Sequence, residues 1–130
     1  MSKFFSTYKV IFYIINILLI ILYLYPGSLL GWIIYDNKSI QPQITPDFVI
    51  SSNHFYVFVL ISIIGFLTFA NSKNNILLLY LIFLSITLEI FHLFIPERTF
   101  QWSDLFGNLL GVIVVILLNN FINKYGRFKK

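Results

Sequence analysis

Four long runs of apolar residues constrain this chain more than any other feature of its sequence. They cover about residues 8–25, 53–70, 76–95 and 105–122. A helix needs about 20 mostly apolar residues to cross the hydrocarbon core of a bilayer. Because lipid cannot satisfy free backbone N–H and C=O groups, such runs are expected to be helices. The sequence therefore predicts an all-α fold, an integral membrane four-helix bundle that forms a single domain over residues 1–130.

The composition also indicates a membrane protein whose partners are lipids. Hydrophobic residues make up 58% of the chain and charged residues 11%, whereas about a quarter of the residues in a soluble domain are charged. The net charge of +4 forms no basic face for nucleic acid, because four of the nine Lys and Arg residues lie in the last seven positions. The chain has no cysteine, which excludes disulfides and thiolate metal sites.

The distribution of basic residues predicts which helix ends face the cytoplasm. Seven of the nine cationic residues lie near the start of the first run, between the second and third runs, or after the fourth: Lys3, Lys9, Lys73, Lys124, Arg127, Lys129 and Lys130. The other two, Lys38 and Arg98, lie in the first and third connections. Because basic residues accumulate in cytoplasmic loops, we expect a multi-pass protein of the cell membrane with both termini cytoplasmic.

Polar residues interrupt the apolar sequence in one segment, EIFHLFIPERTFQWSDLFGNLLG, at residues 89–111. Glu89 and His92 are three positions apart, and Asp104 and Asn108 are four apart, so each pair shares one face of a helix. The connection between these two helices is short, which makes them antiparallel neighbours. His54 begins the second run on the same predicted outer side of the membrane. The candidate residues for a binding site or for a structural role are His54, Glu89, His92, Arg98, Asp104 and Asn108.

A carboxylate at the position of Glu89 needs a partner. An ionised side chain at the bilayer centre costs about 2.5–3.5 kcal/mol or more, so it is normally paired or buried among helices. A guanidinium group binds carboxylates in a two-point arrangement. We therefore expect Glu89, Arg98 and Asp104 to share charge, surrounded by the other candidate residues.

Small and amide residues predict where helices approach each other closely. Gly107 and Gly111 form a G-x-x-x-G pair, which allows a neighbouring helix to pack closely. We favour packing within the chain over a dimer interface, and the oligomeric state stays open. Asn16 is the polar residue in the middle of the first run, and we expect it to form a hydrogen bond between helices.

Several chemical roles are open to the candidate residues. His54, His92, Glu89 and Asp104 are suitable metal ligands, but without an H-E-x-x-H motif or cysteine the sequence favours no metal and no cofactor. Alternatives are a general acid or base role for Glu89, and binding of an anionic group by Arg98 and Asn108. A purely structural role is at least as well supported. Enzyme activity is left undecided, with a non-enzymatic role favoured.

The ordered residues of this segment resemble the signature of the VanZ-like family. That signature has a Glu, then Pro-x-Arg, then an Asp, an Asn four residues later and a Gly three beyond. The matching positions are Glu89, Pro96, Arg98, Asp104, Asn108 and Gly111, with His54-Phe55 matching an upstream His-Phe. The chain departs from the family at Ile50-Ser51, where Asp-Lys is common, and at His92, where Gln is common. The resemblance covers roughly residues 10–122.

The resemblance implies an integral membrane protein of the cell envelope, in a family whose founding member is associated with low-level resistance to the glycopeptide teicoplanin. It implies no defined reaction. We expect a protein that contributes to teicoplanin tolerance by binding an envelope lipid intermediate or a glycopeptide at the outer leaflet. The alternative is a non-catalytic accessory subunit that presents itself to a membrane partner. A small transporter is less favoured, because the inner halves of the last three runs are mostly apolar.

Overall fold

The computed structural model of the protein describes residues 2–69 and 74–126, and within these ranges the chain is helical without strands. This confirms the predicted all-α class for those residues. Lys73 and the tail from Arg127 onward, which contribute to the predicted orientation, lie outside them. The helices, in chain order, are α1 (Ser2–Leu24), α2 (Leu29–Tyr35), α3 (Ser52–Thr68), α4 (Asn74–Phe91) and α5 (Trp102–Gly126).

Three of these helices are long and apolar enough to cross a membrane. They are α4, α5 and the part of α1 from Thr7 to Leu24. The apolar helix α3 has 17 residues, which gives a length of about 26 Å and lies at the lower limit for a transmembrane helix. The chain is therefore compatible with a membrane protein.

The helix predicted over residues 76–95 ends earlier than its apolar sequence indicates. α4 ends at Phe91, and the next residues form tight turns in which the N–H of His92 bonds to the carbonyl of Glu89 at 3.1 Å. Pro96 follows shortly, and the residue before a proline is disfavoured in the helical conformation. Helix α4 therefore ends before Ile95, and His92 lies just beyond it rather than inside it.

A regular face of α1 packs into the core of the molecule. Phe12, Asn16, Leu19 and Tyr23 are spaced by three or four residues and are all buried, as expected for one face of a helix. This face contacts α3 and α4. The core is completed mainly by apolar side chains from the other long helices, including Phe58, Ile61, Leu81, Leu88 and Val112.

Helices α3 and α5 form the most extensive helix contact, and two glycines allow it. A Cβ atom added at Gly107 would lie 2.8 Å from the carbonyl oxygen of Ser51. A Cβ atom added at Gly111 would lie 2.7 Å from the carbonyl oxygen of Phe55. The G-x-x-x-G pair thus packs against the backbone of α3 within the same chain, where a side chain of any size would push the two helices apart.

Candidate functional site

The polar candidate residues meet at one end of the molecule, which we call the polar end. Here the last turns of α1 and α4 lie beside the first turns of α3 and α5, so four helices contribute. Five of the six sequence candidates form direct contacts with one another or with Tyr23 of α1. We call this set the polar layer, and it comprises Tyr23, His54, Glu89, His92, Asp104 and Asn108.

Asn108 is the centre of a hydrogen-bonded network that connects all four long helices. Its Oδ1 accepts the Tyr23 hydroxyl at 2.7 Å and lies 3.1 Å from Nδ1 of His54. Its Nδ2 donates to the carbonyl oxygen of Ser85 at 3.3 Å, which fixes the orientation of the amide. Because an amide oxygen only accepts, Nδ1 of His54 must carry a hydrogen. In a neutral His54, Nε2 therefore holds a free lone pair.

That second nitrogen of His54 faces an acidic side chain. Nε2 lies 3.6 Å from Oδ2 of Asp104, and both side chains are 16% exposed. Asp104 is in the first turn of α5, where the partial positive charge of a helix N-terminus stabilises a carboxylate. His54 and Asp104 thus form the part of the polar layer that solvent can reach.

Glu89 is the deepest ionisable side chain and only one of its oxygens is hydrogen-bonded. The residue is 0% exposed, and Oε1 accepts the backbone N–H of Gln101 at 2.9 Å. Oε2 lies 3.3 Å from Nδ1 of His92, but it has no hydrogen-bond partner of suitable geometry in the described part of the chain. Nε2 of His92 donates to the carbonyl oxygen of Tyr23 at 3.0 Å. A buried carboxylate oxygen is therefore left without a donor.

Arg98 does not make the predicted ion pair with Glu89 or Asp104. Within residues 2–69 and 74–126 it pairs with no carboxylate. Its Nη2 instead donates to the carbonyl oxygen of Leu22 at 2.8 Å, and its Nε donates to that of Tyr25 at 3.2 Å. The last carbonyl groups of a helix have no partner within the helix, and the guanidinium satisfies those of α1.

The charge of Arg98 still interacts with the polar layer. Partial burial lowers the pKa of Arg98 from its ordinary value, and the nearby Asp104 and Glu89 counteract this effect.

Several residues of the site have no counterpart in the sequence prediction. Tyr23 was missed, although its spacing of seven from Asn16 places it on the buried face of α1. Asp47 was missed as well, and its Oδ1 accepts both the N–H and the hydroxyl of Ser52 at 2.9 and 3.1 Å, which caps α3. Gln101 contributes its backbone N–H, which donates to Oε1 of Glu89. A backbone group cannot be recognised from the pattern of side chains.

Two adjacent cavities open at the polar end. One is polar, with a volume of about 500 Å³, and its lining includes Lys38, Asp47, His92, Glu97 and Asp104. The other is apolar, with a volume of about 230 Å³, and its lining includes Leu19, Leu22, Leu29, Leu30, Ile44 and Val57. The residues that line both are Ser28, Gln41, Gln43, Asn53, His54 and Arg98. The two cavities therefore share one wall.

Three polar-layer side chains of the types that bind metal ions lie close together. His54, Glu89 and Asp104 each offer one ligand atom, and these atoms all lie within 4.8 Å of one another. The three residues come from three different helices, so the arrangement depends on the tertiary fold.

Comparison of the chain with protein-family models, with curated proteins and with solved structures found no significant match. The resemblance to the VanZ-like family accordingly stays a prediction from the ordered motif residues.

Proposed function

We propose that this chain is a VanZ-like integral membrane protein of the cell envelope that binds a lipid with a sugar-phosphate head. In this proposal the four long helices form a membrane-spanning bundle with both termini cytoplasmic. The polar end then lies at the outer leaflet, where the head of an envelope lipid intermediate is accessible. The observation that carries the proposal is the pair of adjacent polar and apolar cavities.

The two cavities match the two halves of an amphiphile. Burial of each CH₂ group of an acyl or prenyl chain in the apolar cavity contributes about 0.8 kcal/mol. The polar cavity begins where the apolar cavity ends, at the shared residues His54 and Arg98. A lipid can therefore place its chain against the leucines of α1 and α2 while its head remains among polar groups.

The lining of the polar cavity favours a head that carries both phosphate and hydroxyl groups. Lys38 and Arg98 offer positive charge, which attracts phosphate oxygens. Asp47, Glu97 and Asp104 offer acceptors for sugar hydroxyl groups. A head with negative charge alone would be repelled by these carboxylates, and a head without charge would gain no attraction to Lys38 and Arg98.

A matched pair of tryptophan substitutions tests lipid binding. Leu30 lines the apolar cavity, whereas Leu110 lies on α5 outside both cavities, and each side chain is 40% exposed. We expect Leu30→Trp to fill the apolar cavity and to reduce the lipid that co-purifies with the chain at least fivefold in native mass spectrometry. Leu110→Trp should retain it. Equal lipid occupancy in the two variants would contradict the proposal.

Teicoplanin susceptibility tests the envelope role independently. Expression of the chain should raise tolerance to teicoplanin modestly, and Leu30→Trp should abolish the increase while Leu110→Trp preserves it. Direct binding of teicoplanin by the purified protein, without co-purifying lipid, would replace the lipid by a glycopeptide as the ligand.

A second candidate is a non-catalytic accessory subunit, and one observation favours it. The Asn108 network joins four helices through internal hydrogen bonds, which is what a purely structural polar layer would do. Glu89→Gln and Asp104→Asn distinguish the candidates. If both variants accumulate normally and lose the tolerance phenotype, the polar layer has a function beyond stability; if both simply fail to accumulate, the structural role is sufficient.

A further inference from the structure

We propose that His54, Glu89 and Asp104 bind a divalent transition-metal ion at the wall of the polar cavity. The ligand atoms would be Nε2 of His54, Oε2 of Glu89 and one carboxylate oxygen of Asp104. This inference stands on the geometry of the polar layer and does not depend on lipid binding. It also departs from the sequence interpretation, which favoured no metal because the three residues lie in no recognisable ligand motif.

The separations fit a metal site that needs only a small contraction. Two ligand atoms about 2.1 Å from a tetrahedral ion are about 3.4 Å apart. Nε2 of His54 and Oδ2 of Asp104 are 3.6 Å apart. One ligand atom from each of His54, Glu89 and Asp104 lies within 4.8 Å of the other two, so an ion would need to draw the three side chains together only slightly.

The surrounding hydrogen bonds leave the required atoms free. A histidine that binds a metal usually donates its other ring N–H to a protein acceptor, which fixes the tautomer and the ring orientation. Nδ1 of His54 does this with Oδ1 of Asn108, so that Nε2 faces Asp104. The N–H of Gln101 holds Oε1 of Glu89 and leaves Oε2 available.

The unpartnered oxygen of Glu89 is the independent sign that a ligand is missing from this set. Buried polar atoms are nearly always hydrogen-bonded, and a buried unpartnered carboxylate oxygen is costly. Oε2 of Glu89 lies 3.3 Å from Nδ1 of His92 but has no partner of hydrogen-bonding geometry among the described residues, and the side chain is 0% exposed. A cation beside Oε2 would satisfy it, and it would also offset the charge of two carboxylates that no arginine contacts.

The ligand types indicate the class of ion. One imidazole nitrogen and two carboxylate oxygens suit Zn²⁺ or Mn²⁺, whereas Cu(I) and iron–sulfur clusters require sulfur ligands, and the chain has no cysteine. Three protein ligands leave at least one coordination position open. His54 and Asp104 line the polar cavity, so that position faces the space where a phosphate oxygen or a water molecule can enter.

Metal titration of the intact chain tests the proposal. The full-length protein is purified in lipid nanodiscs with an affinity tag other than polyhistidine, stripped with a chelator, and titrated with Zn²⁺ or Mn²⁺ alone. We expect about one bound ion per chain by elemental analysis and a rise in thermal stability on loading. Substitution with Co²⁺ should give the visible absorption of a cation with nitrogen and oxygen ligands.

Glu89→Gln and Glu97→Gln form a matched pair, because both remove one acid near the polar cavity but only Glu89 belongs to the ligand group. We expect Glu89→Gln to weaken metal affinity at least tenfold and Glu97→Gln to change it less than twofold. Asp104→Asn provides a second test if Glu89→Gln does not fold. Failure of the wild type to bind either ion, or equal losses in the Glu89 and Glu97 variants, would overturn the proposal.

The lipid variant separates this proposal from the proposed function. Leu30→Trp should lose lipid and bind the metal with unchanged affinity, because Leu30 lines the apolar cavity and contributes no ligand atom. Metal binding without lipid binding would leave the metal site intact and remove only the proposed function.

Discussion

The helices contact one another through different kinds of side chain at the two ends of this molecule. At the end opposite to the polar end, the helices meet mainly through apolar side chains such as Phe12, Phe66, Leu77 and Val115. Both polar atoms of the Asn16 amide are hydrogen-bonded there, since Nδ2 donates to the carbonyl oxygen of Phe12 at 2.7 Å and Oδ1 accepts the hydroxyl of Tyr80. This contact confirms the hydrogen bond between helices that the sequence predicts for Asn16.

The polar end, in contrast, buries a carboxyl group of which one oxygen has no hydrogen-bond partner, whereas an unpartnered buried atom at the opposite end is the uncharged amide oxygen of Asn74. Asn108 there has the same side chain as Asn16 and is likewise satisfied, but the nearby Glu89 is left with an unpartnered oxygen. Helix packing alone is achieved at the opposite end without any buried carboxylate among the described residues. The buried charge at the polar end is the difference on which the proposed metal site rests.

The largest expected difference in stability between the two ends comes from replacing Asn108 or Asn16, the buried asparagine of each end, by leucine. Asn108→Leu removes the acceptor of the Tyr23 hydroxyl and of Nδ1 of His54, which then contact only each other, and the side-chain donor to the carbonyl of Ser85; this should lower the free energy of unfolding by about 2–3 kcal/mol. Asn16→Leu should cost only about 1 kcal/mol, because Tyr80 is 38% exposed and can turn outward. Unfolding by a denaturing detergent measures both. Equal losses would remove the contrast between the ends.

Replacing each of two buried glycines by alanine should give the next largest difference in the free energy of unfolding. At Gly111 the new Cβ would lie 2.7 Å from a backbone oxygen, that of Phe55, which cannot move without separating α3 from α5. We expect a loss of about 1–3 kcal/mol. At Gly65 the new Cβ would meet only side-chain atoms of Phe12 and Leu77 at 3.0 Å or more, and these can adjust. Gly65→Ala should therefore be nearly neutral in the same unfolding assay.

The smallest expected difference comes from removing one hydroxyl group at each end. Tyr23→Phe deletes a buried donor to Asn108, and Tyr80→Phe deletes a half-exposed donor to Asn16. We expect losses of about 1.5 and about 0.5 kcal/mol, respectively, within the usual range for one hydrogen bond. Metal affinity provides a further measurement. Tyr23→Phe removes a hydroxyl group that contacts Nδ1 of His54 and should weaken metal binding, whereas Tyr80→Phe should leave the metal affinity unchanged.

The helices and the location of the polar layer could be predicted from the sequence because both depend on strong physical constraints. Continuous apolar runs have few alternatives to helices, and charges beside such runs must converge on one another. The early end of α4 was missed because the apolar residues up to Ile95 continue the pattern after the backbone has already turned toward Pro96. Hydropathy does not report a backbone conformation.

The partner of Arg98 could not be predicted because the competing acceptors are backbone atoms. The carbonyl oxygens of Leu22 and Tyr25 become available only where α1 ends beside the loop that carries Arg98. Tyr23 was missed for a related reason: the chain has eight tyrosines, and only the tertiary fold brings this one to His54 and Asn108. The metal-ligand group depends on three helices and so has no local sequence signature.

The shortness of α3 has a consequence for the membrane arrangement that we propose. Its 17 residues extend over about 26 Å, which is at the lower limit for a helix that spans a bilayer. A short hydrophobic helix is accommodated by local thinning of the bilayer. In the proposed arrangement we therefore expect the bilayer to be locally thin beside His54, so that the head of a bound lipid enters the polar cavity sideways from the membrane.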